Sequence, residues 1–130
     1  MSSICIFGVF VADLCFFGKS IPARGETILG SKHIVGPGGK GSNQAIAAAR
    51  LNGKVNFITK LGKDSNATMA LDLYSQSGVN IDGVIQDPNL STGVAAIMID
   101  ENGHNAINIV SGAAGPVSYT HLTLPTNREV

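Results

Sequence analysis

The chain has 130 residues, 44% of them hydrophobic and 14% charged, and nine basic residues balance nine acidic ones to a formal net charge of zero. That composition is globular, and the length suits one domain with a real core or a piece of a larger one. With no basic block, nucleic acid and anionic membrane are excluded as expected partners, and no apolar run approaches the ~20 residues a membrane span needs.

In chain order, Ile4-Cys5-Ile6-Phe7 is a short apolar run closed by Gly8, which predicts a buried strand of a parallel sheet. The start lacks a charged n-region, so no signal peptide is expected and a cytoplasmic location follows. Cys5 and Cys15 lie in apolar stretches without metal-ligand spacing to any histidine. They read as buried free thiols, with a disulfide between them as the alternative. Asp13 stands among apolar neighbours. It is either a turn or cap aspartate, or a carboxylate at the carboxyl end of the first strand, where open α/β sheets bind ligands.

From Phe16 to Val35 the chain is strand-like and punctuated by Gly18, Pro22, Gly25 and Gly30. Pro22 to Thr27 reads as a loop carrying solvated Arg24 and Glu26, and Thr27-Ile28-Leu29 and His33-Ile34-Val35 read as short strands. His33 has no partner at metal spacing and reads as a surface residue.

The centre of the chain is Gly36-Pro37-Gly38-Gly39-Lys40-Gly41-Ser42-Asn43-Gln44, followed by an alanine-rich run. Four glycines in six residues leave the backbone N–H groups open to close approach by a ligand. A helix starting behind them adds unpaired N–H groups and the positive end of its dipole. Lys40 contributes a charge, and Asn43 an amide that donates and accepts. A phosphate-cradling loop is excluded, because Ile34 stands where its first glycine belongs and Gly41 where its hydroxyl belongs. A dinucleotide fingerprint matches at Gly36, Gly38 and Gly41, but the next strand ends in Lys60 where an acidic residue should hold a ribose.

Asn43 to Asn52 is expected to be helical, closed by Gly53 in a left-handed cap. Val55 to Leu61 reads as a strand, and a helix capped by Ser65 or Asn66 runs to Ser77 with Gly78 behind it. Val84-Ile85 is a short strand. Thr92 to Ile99 and Asn105 to Val110 flank Asp100-Glu101-Asn102-Gly103, a strong hairpin signal. Two β-rich excursions, about 14–35 and 92–110, therefore interrupt an alternating α/β pattern. The economical arrangement is one α/β sheet with a small extra β-sheet, built from both excursions, over its ligand edge. Such a flap excludes water from a reaction. Two unrelated surface hairpins are the plain alternative.

All 16 glycines fall at or before Gly115, and residues 116–130 show no periodicity. That stretch is similar to a translated sequencing adaptor and reads as a non-native read-through tail, which leaves Tyr119 and His121 without function.

Taken together, Asp13, the run Gly38-Gly39-Lys40-Gly41-Ser42-Asn43-Gln44-Ala45, Pro22-Ala23-Arg24-Gly25-Glu26-Thr27 and Ser91-Thr92-Gly93-Val94-Ala95 resemble the N-terminal part of the ribokinase-like sugar kinases. The resemblance spans residues 4 to about 115. It implies the N-terminal portion of a three-layer α/β/α fold with a small β-sheet lid, formed by residues 1–115. It also implies that Asp13 accepts hydrogen bonds from sugar hydroxyls, and that the N–H groups of Gly39 and Lys40 and the amide of Asn43 hold the ring. Ribose-phosphorylating members usually carry Asn two residues before the aspartate, where this chain has Val11. A missing amide costs about 1–3 kcal/mol if a hydroxyl is left unpaired, so a related furanose or ketohexose joins ribose as a candidate. The family's catalytic base and phosphoryl anion hole lie in an Asp-Thr-x-Gly-Ala-Gly-Asp run, which this sequence lacks. The resemblance therefore places ATP and Mg2+ in a full-length parent, outside this chain. It also implies a homodimer of the parent through the lid, and no kinase activity in these residues alone. A non-catalytic sugar-binding module is the second reading.

Overall fold

A computed structural model describes residues 3–116. The expectations for the tail, including Tyr119 and His121, lie outside the described residues. Strand β1 (Ser3–Phe7) leads into β2 (Val11–Phe17) and β3 (Lys32–Gly38), then helix α1 (Lys40–Arg50) and β4 (Lys54–Leu61). Helix α2 (Ser65–Ser77), β5 (Val84–Gln86), β6 (Gly93–Ile99), β7 (Asn105–Val110) and a 3-10 turn at Gly112–Ala114 complete it. No helix among them is long and apolar enough to cross a membrane.

The strands form two sheets. One is parallel, in the order β1-β4-β5; the other is mixed, in the order β3-β2-β6-β7. In the second sheet β2 runs parallel to β6 and antiparallel to β3, and β7 is antiparallel to β6. Both β-rich excursions thus join in one small sheet, as the economical reading expected. The two crossovers, β1 to β4 and β4 to β5, step in the same direction. Right-handed connections then put α1 and α2 on one face, so the described residues supply the sheet and one of the expected helical layers.

The core lies between these helices and β4, where Val55, Phe57 and Leu61 alternate inward against Ala45 and Ile46 of α1 and Ala67, Ala70 and Tyr74 of α2. Tyr74 is the hinge pin of this core. Its ring meets Phe57 edge-on at 5.3 Å and Phe10 at 6.4 Å. Its buried hydroxyl shares a 2.8 Å hydrogen bond with Ser42, and burial pushes the phenol up to about 12. The alanines of α1 let the helix lie close, as its thin profile predicts.

Several local expectations shift. Helix α1 starts at Lys40, three residues earlier than expected, because Gly39 serves as its N-cap with φ of 95°. Its end is closed by Leu51, and Asn52 rather than Gly53 takes the left-handed conformation. Gly53 is glycine for another reason: a Cβ there would come within 2.8 Å of the Ala48 carbonyl oxygen. Asp64, and neither Ser65 nor Asn66, caps α2, whereas Gly78 is left-handed as expected. Thr27-Ile28-Leu29 is not a strand: the segment pairs with none of the described strands, and Leu29 is almost fully exposed.

Both cysteines are free, but neither is buried. Cys5 is exposed because, among the described residues, β1 is paired on one side only, and it is Ile6 on the other face that packs against the core. Cys15 is half-buried in β2 of the mixed sheet.

Candidate functional site

The register of the mixed sheet builds the site row by row. One row runs Gly38–Val11–Gly93, and the next runs Gly36–Asp13–Ala95–Ile109. In each row the residues paired directly with the β2 side chain are small: Gly38 and Gly93 beside Val11, Gly36 and Ala95 beside Asp13. The Asp13 carboxylate leans along the sheet over Gly38, where a Cβ would overlap both of its oxygens. Gly38 is therefore required by the aspartate. At Gly39 a Cβ would run into the Val9 carbonyl oxygen, and the positive φ adds strain for any other residue. Gly41 packs directly on Gly8, with a Cβ at Gly41 only 2.7 Å from the Gly8 Cα. These three contacts seat the N-terminus of α1 at the end of β1, beside Asp13. No side chain caps α1, so N–H groups of its first turn remain available for a ligand.

Asp13, Gly39, Lys40 and Asn43 all line one cleft of about 420 Å³. The structure brings together the four residues that the sequence singled out from two separate stretches. Burial raises the Asp13 carboxyl above its ordinary 3.8. No hydrogen bond to that carboxylate occurs among the described residues, so its oxygens are free to accept from hydroxyls. The arrangement sets a carboxylate, an amide, a lysine and a helix N-terminus around one cleft. Mixed donors and acceptors of this kind match a polyol.

Sequence reasoning missed the other wall. Ala95 and Ile97 of β6, Ile107 and Ile109 of β7, and Ser111 and Ala114 beyond them also line the cleft. The alternation of Ile107 and Ile109 was visible as a strand. Which face it turned to Asp13 depended on register, which the sequence did not state.

Two of the resemblance's segments lie elsewhere. Pro22, Glu26 and Thr27 line a second cleft of about 390 Å³ with Phe16, Ala96 and Met98, on the opposite face of the sheet. Glu26 is exposed and accepts a 2.7 Å bond from Ala23 N–H, closing its own loop. Thr92 is buried and structural: its hydroxyl accepts from Gly62 N–H at 2.9 Å, and its own N–H donates to Asp64 at 2.8 Å. The other Asp64 oxygen accepts from Ala67 N–H. Burial opposes ionisation of Asp64, but these donors outweigh it and hold the carboxyl below 3.8. Asp64 thus ties the start of α2 to the start of β6.

The dinucleotide reading fails on geometry. Gly36 and Gly38 lie inside β3 of the mixed sheet, not in a turn between a parallel strand and its helix.

A family model for pfkB family carbohydrate kinases matches residues 1–129. The chain belongs to the pfkB carbohydrate kinase family. Among pfkB-family relatives, the deoxyribokinase of Salmonella typhimurium is 39% identical over 110 residues, covering 85% of this chain and 36% of the relative. The structure of ribokinase from Giardia lamblia superposes with a TM-score of 0.85 at 34% identity, over 94% of this chain and 37% of that one. Arabidopsis thaliana ribokinase, solved with ribose and ATP, gives 0.77 at 34% identity, over 85% and 36%. These neighbours make the fold ribokinase-like α/β. The chain spans little more than a third of the length of each of these three pfkB-family proteins.

Proposed function

We propose that this chain is the sugar-binding, lid-bearing N-terminal part of an ATP-dependent sugar kinase that phosphorylates the primary hydroxyl of ribose or a related sugar. The observation that carries this reading is the convergence of Asp13, Gly39, Lys40 and Asn43 in one cleft, between the end of the parallel sheet and the face of the mixed one. Relatives named for ribose and deoxyribose, and one solved with ribose and ATP, support a pentose and the nucleotide. In this reading Asp13 accepts from ring hydroxyls, Asn43 donates and accepts, and N–H groups at Gly39 and Lys40 hold a sugar oxygen. The mixed sheet is the lid and shields the reacting hydroxyl from water.

The chain's own residues provide binding and orientation. The sequence has no Asp-Thr-x-Gly-Ala-Gly-Asp run, and the described residues contain no cluster of acidic, histidine or cysteine side chains suited to a metal. In this reading ATP, Mg2+ and the base that takes the hydroxyl proton belong to the remainder of a parent enzyme, and residues 1–130 alone have no kinase activity. A homodimer through the lid belongs to the same reading, supported by Phe16, Val35 and Val110, which stay exposed on the face away from Asp13.

Titration of D-ribose into the chain, followed by NMR, tests the site. Asp13→Asn keeps the shape and should weaken binding about tenfold or more through loss of a charged acceptor. Because burial raises the Asp13 carboxyl, affinity in the unsubstituted chain should fall on acidification at a pH above 3.8, and Asp13→Asn should lack that limb. Undiminished binding by the variant, with the same acid limb, would falsify the assignment. In the parent, an assay with ATP and pentose should show phosphorylation.

A further inference from the structure

The geometry points to Tyr74 as a positioning residue for the cleft, acting through Ser42 from beneath helix α1. The inference rests on the sugar-site reading just given and extends it to two residues that line no part of the cleft. Little else holds the first turn of α1. Lys40 and Asn43 are exposed and line the cleft, Gly39 and Gly41 have no side chains, and no side chain caps the helix. Ser42 is the one buried side chain of that turn. Its hydroxyl shares a 2.8 Å hydrogen bond with the Tyr74 hydroxyl, 32 residues away on α2. The contact of Gly41 with Gly8 sets how closely the turn approaches β1, and Ala45 and Ile46 seat the following turn by burial. Both restraints are non-directional, whereas a hydrogen bond has a required angle. The Ser42–Tyr74 bond is what fixes how the turn presents Lys40 and Asn43.

Tyr74 reaches the other half of the site as well. Its ring meets Phe10 edge-on at 6.4 Å. Phe10 is fully buried between Val9, which lines the cleft, and Val11, which starts the strand bearing Asp13. Phe57 braces the same ring from β4 at 5.3 Å. One side chain touches both stretches whose residues meet in the cleft: the β1–β2 connection through its ring and the α1 turn through its hydroxyl. A phenylalanine would fill the same space without desolvating a hydroxyl, so what the tyrosine adds is direction.

The test titrates D-ribose into the 130-residue chain and into its Tyr74→Phe, Ser42→Ala and doubly substituted forms. NMR reads affinity, and urea unfolding reads stability. Each single substitution should weaken ribose binding about threefold or more, the size of a lost hydrogen bond. Removing both partners leaves no buried hydroxyl unpaired, so stability should return toward that of the unsubstituted chain. Affinity should stay as low as in the single variants, whereas a merely structural role would restore both together. Val55→Ala opens the core near the start of β4. It should lower stability at least as far and leave ribose affinity unchanged. In the ligand-free chain, backbone amide relaxation should report added motion at Lys40 to Asn43 in Tyr74→Phe and none at Ala47 to Arg50. Should Tyr74→Phe fail to fold, Ser42→Ala carries the same comparisons. Undiminished ribose binding by the folded single variants would overturn the positioning role, as would an equal loss of affinity in Val55→Ala. Unchanged relaxation in the first turn would overturn it whether or not ribose binds. Failure of the unsubstituted chain to bind ribose would instead sink the sugar-site reading, and this role with it.

Discussion

The two sheets of this molecule are built from similar apolar strands and bury them very differently. In the parallel sheet, Val55, Phe57 and Leu61 of β4 are essentially inaccessible beneath α1 and α2. In the mixed sheet Ala12, Leu14 and Val94 reach the core, but Ile34, Val35, Ile107, Ile109 and Val110 remain about half exposed. The first sheet is held by burial, with each large side chain contributing about 1.5–3 kcal/mol relative to exposure. The second is held by its ladders and by a few ties at its root, and it leaves apolar side chains exposed on both faces, Ile107 and Ile109 toward the cleft and Val35 and Val110 away from it.

The difference can be broken at its strongest point first. Phe57→Ala removes a fully buried ring in contact with Tyr74 and should cost about 3–5 kcal/mol. Thermal or urea unfolding followed by circular dichroism reads this directly. A loss under about 1 kcal/mol would show that the core is not where the strength resides.

The tie between the two regions comes next. Asp64→Ala deletes the α2 cap and the acceptor for Thr92 N–H, with an expected cost of about 1–2 kcal/mol. Amide exchange should quicken in β6 more than in β4. The folded-state carboxyl is depressed, so its contribution is fully present above the unfolded value near 3.8 and disappears as pH falls through the lower, folded value. The variant's deficit should accordingly shrink in acid. A deficit that grows on acidification would reverse the assigned sign.

Ile107→Ala is the smallest test. Ile107 is 53% exposed on the cleft wall, so stability should change by less than about 1 kcal/mol. Pentose affinity should fall measurably all the same. Equal stability losses from Ile107→Ala and Phe57→Ala would erase the distinction between the two sheets.

Much of this was legible in the residues. The hairpin around Asn102-Gly103 and the cap at Gly78 depend on local conformational preference, so they could be read without any tertiary knowledge. Asp13 and the run Gly38 to Asn43 stood out because such residues are costly or conspicuous in an apolar, alanine-rich chain. The start of α1 was misplaced because Gly39 caps without a side chain, and no capping residue type marked it. Thr27-Ile28-Leu29 has strand composition but pairs with no strand among the described residues, and pairing is a property of the sheet. Cys5 was expected inside because its run is apolar; its exposure follows from β1 having one neighbour in place of two.

The sequence by itself determined the α/β alternation, the two β excursions and four of the residues that line the cleft, because each is encoded within a few neighbouring positions. Only the tertiary structure decided that both excursions share one sheet. It also decided that β2 and β6 pair in the register setting Asp13 beside Val11, Ala95 and Ile109, and that Gly38 must stay bare beneath the carboxylate. Those outcomes join residues up to about a hundred positions apart. Shifting the register by one residue would turn every one of those side chains to the opposite face, and no local preference reports that choice.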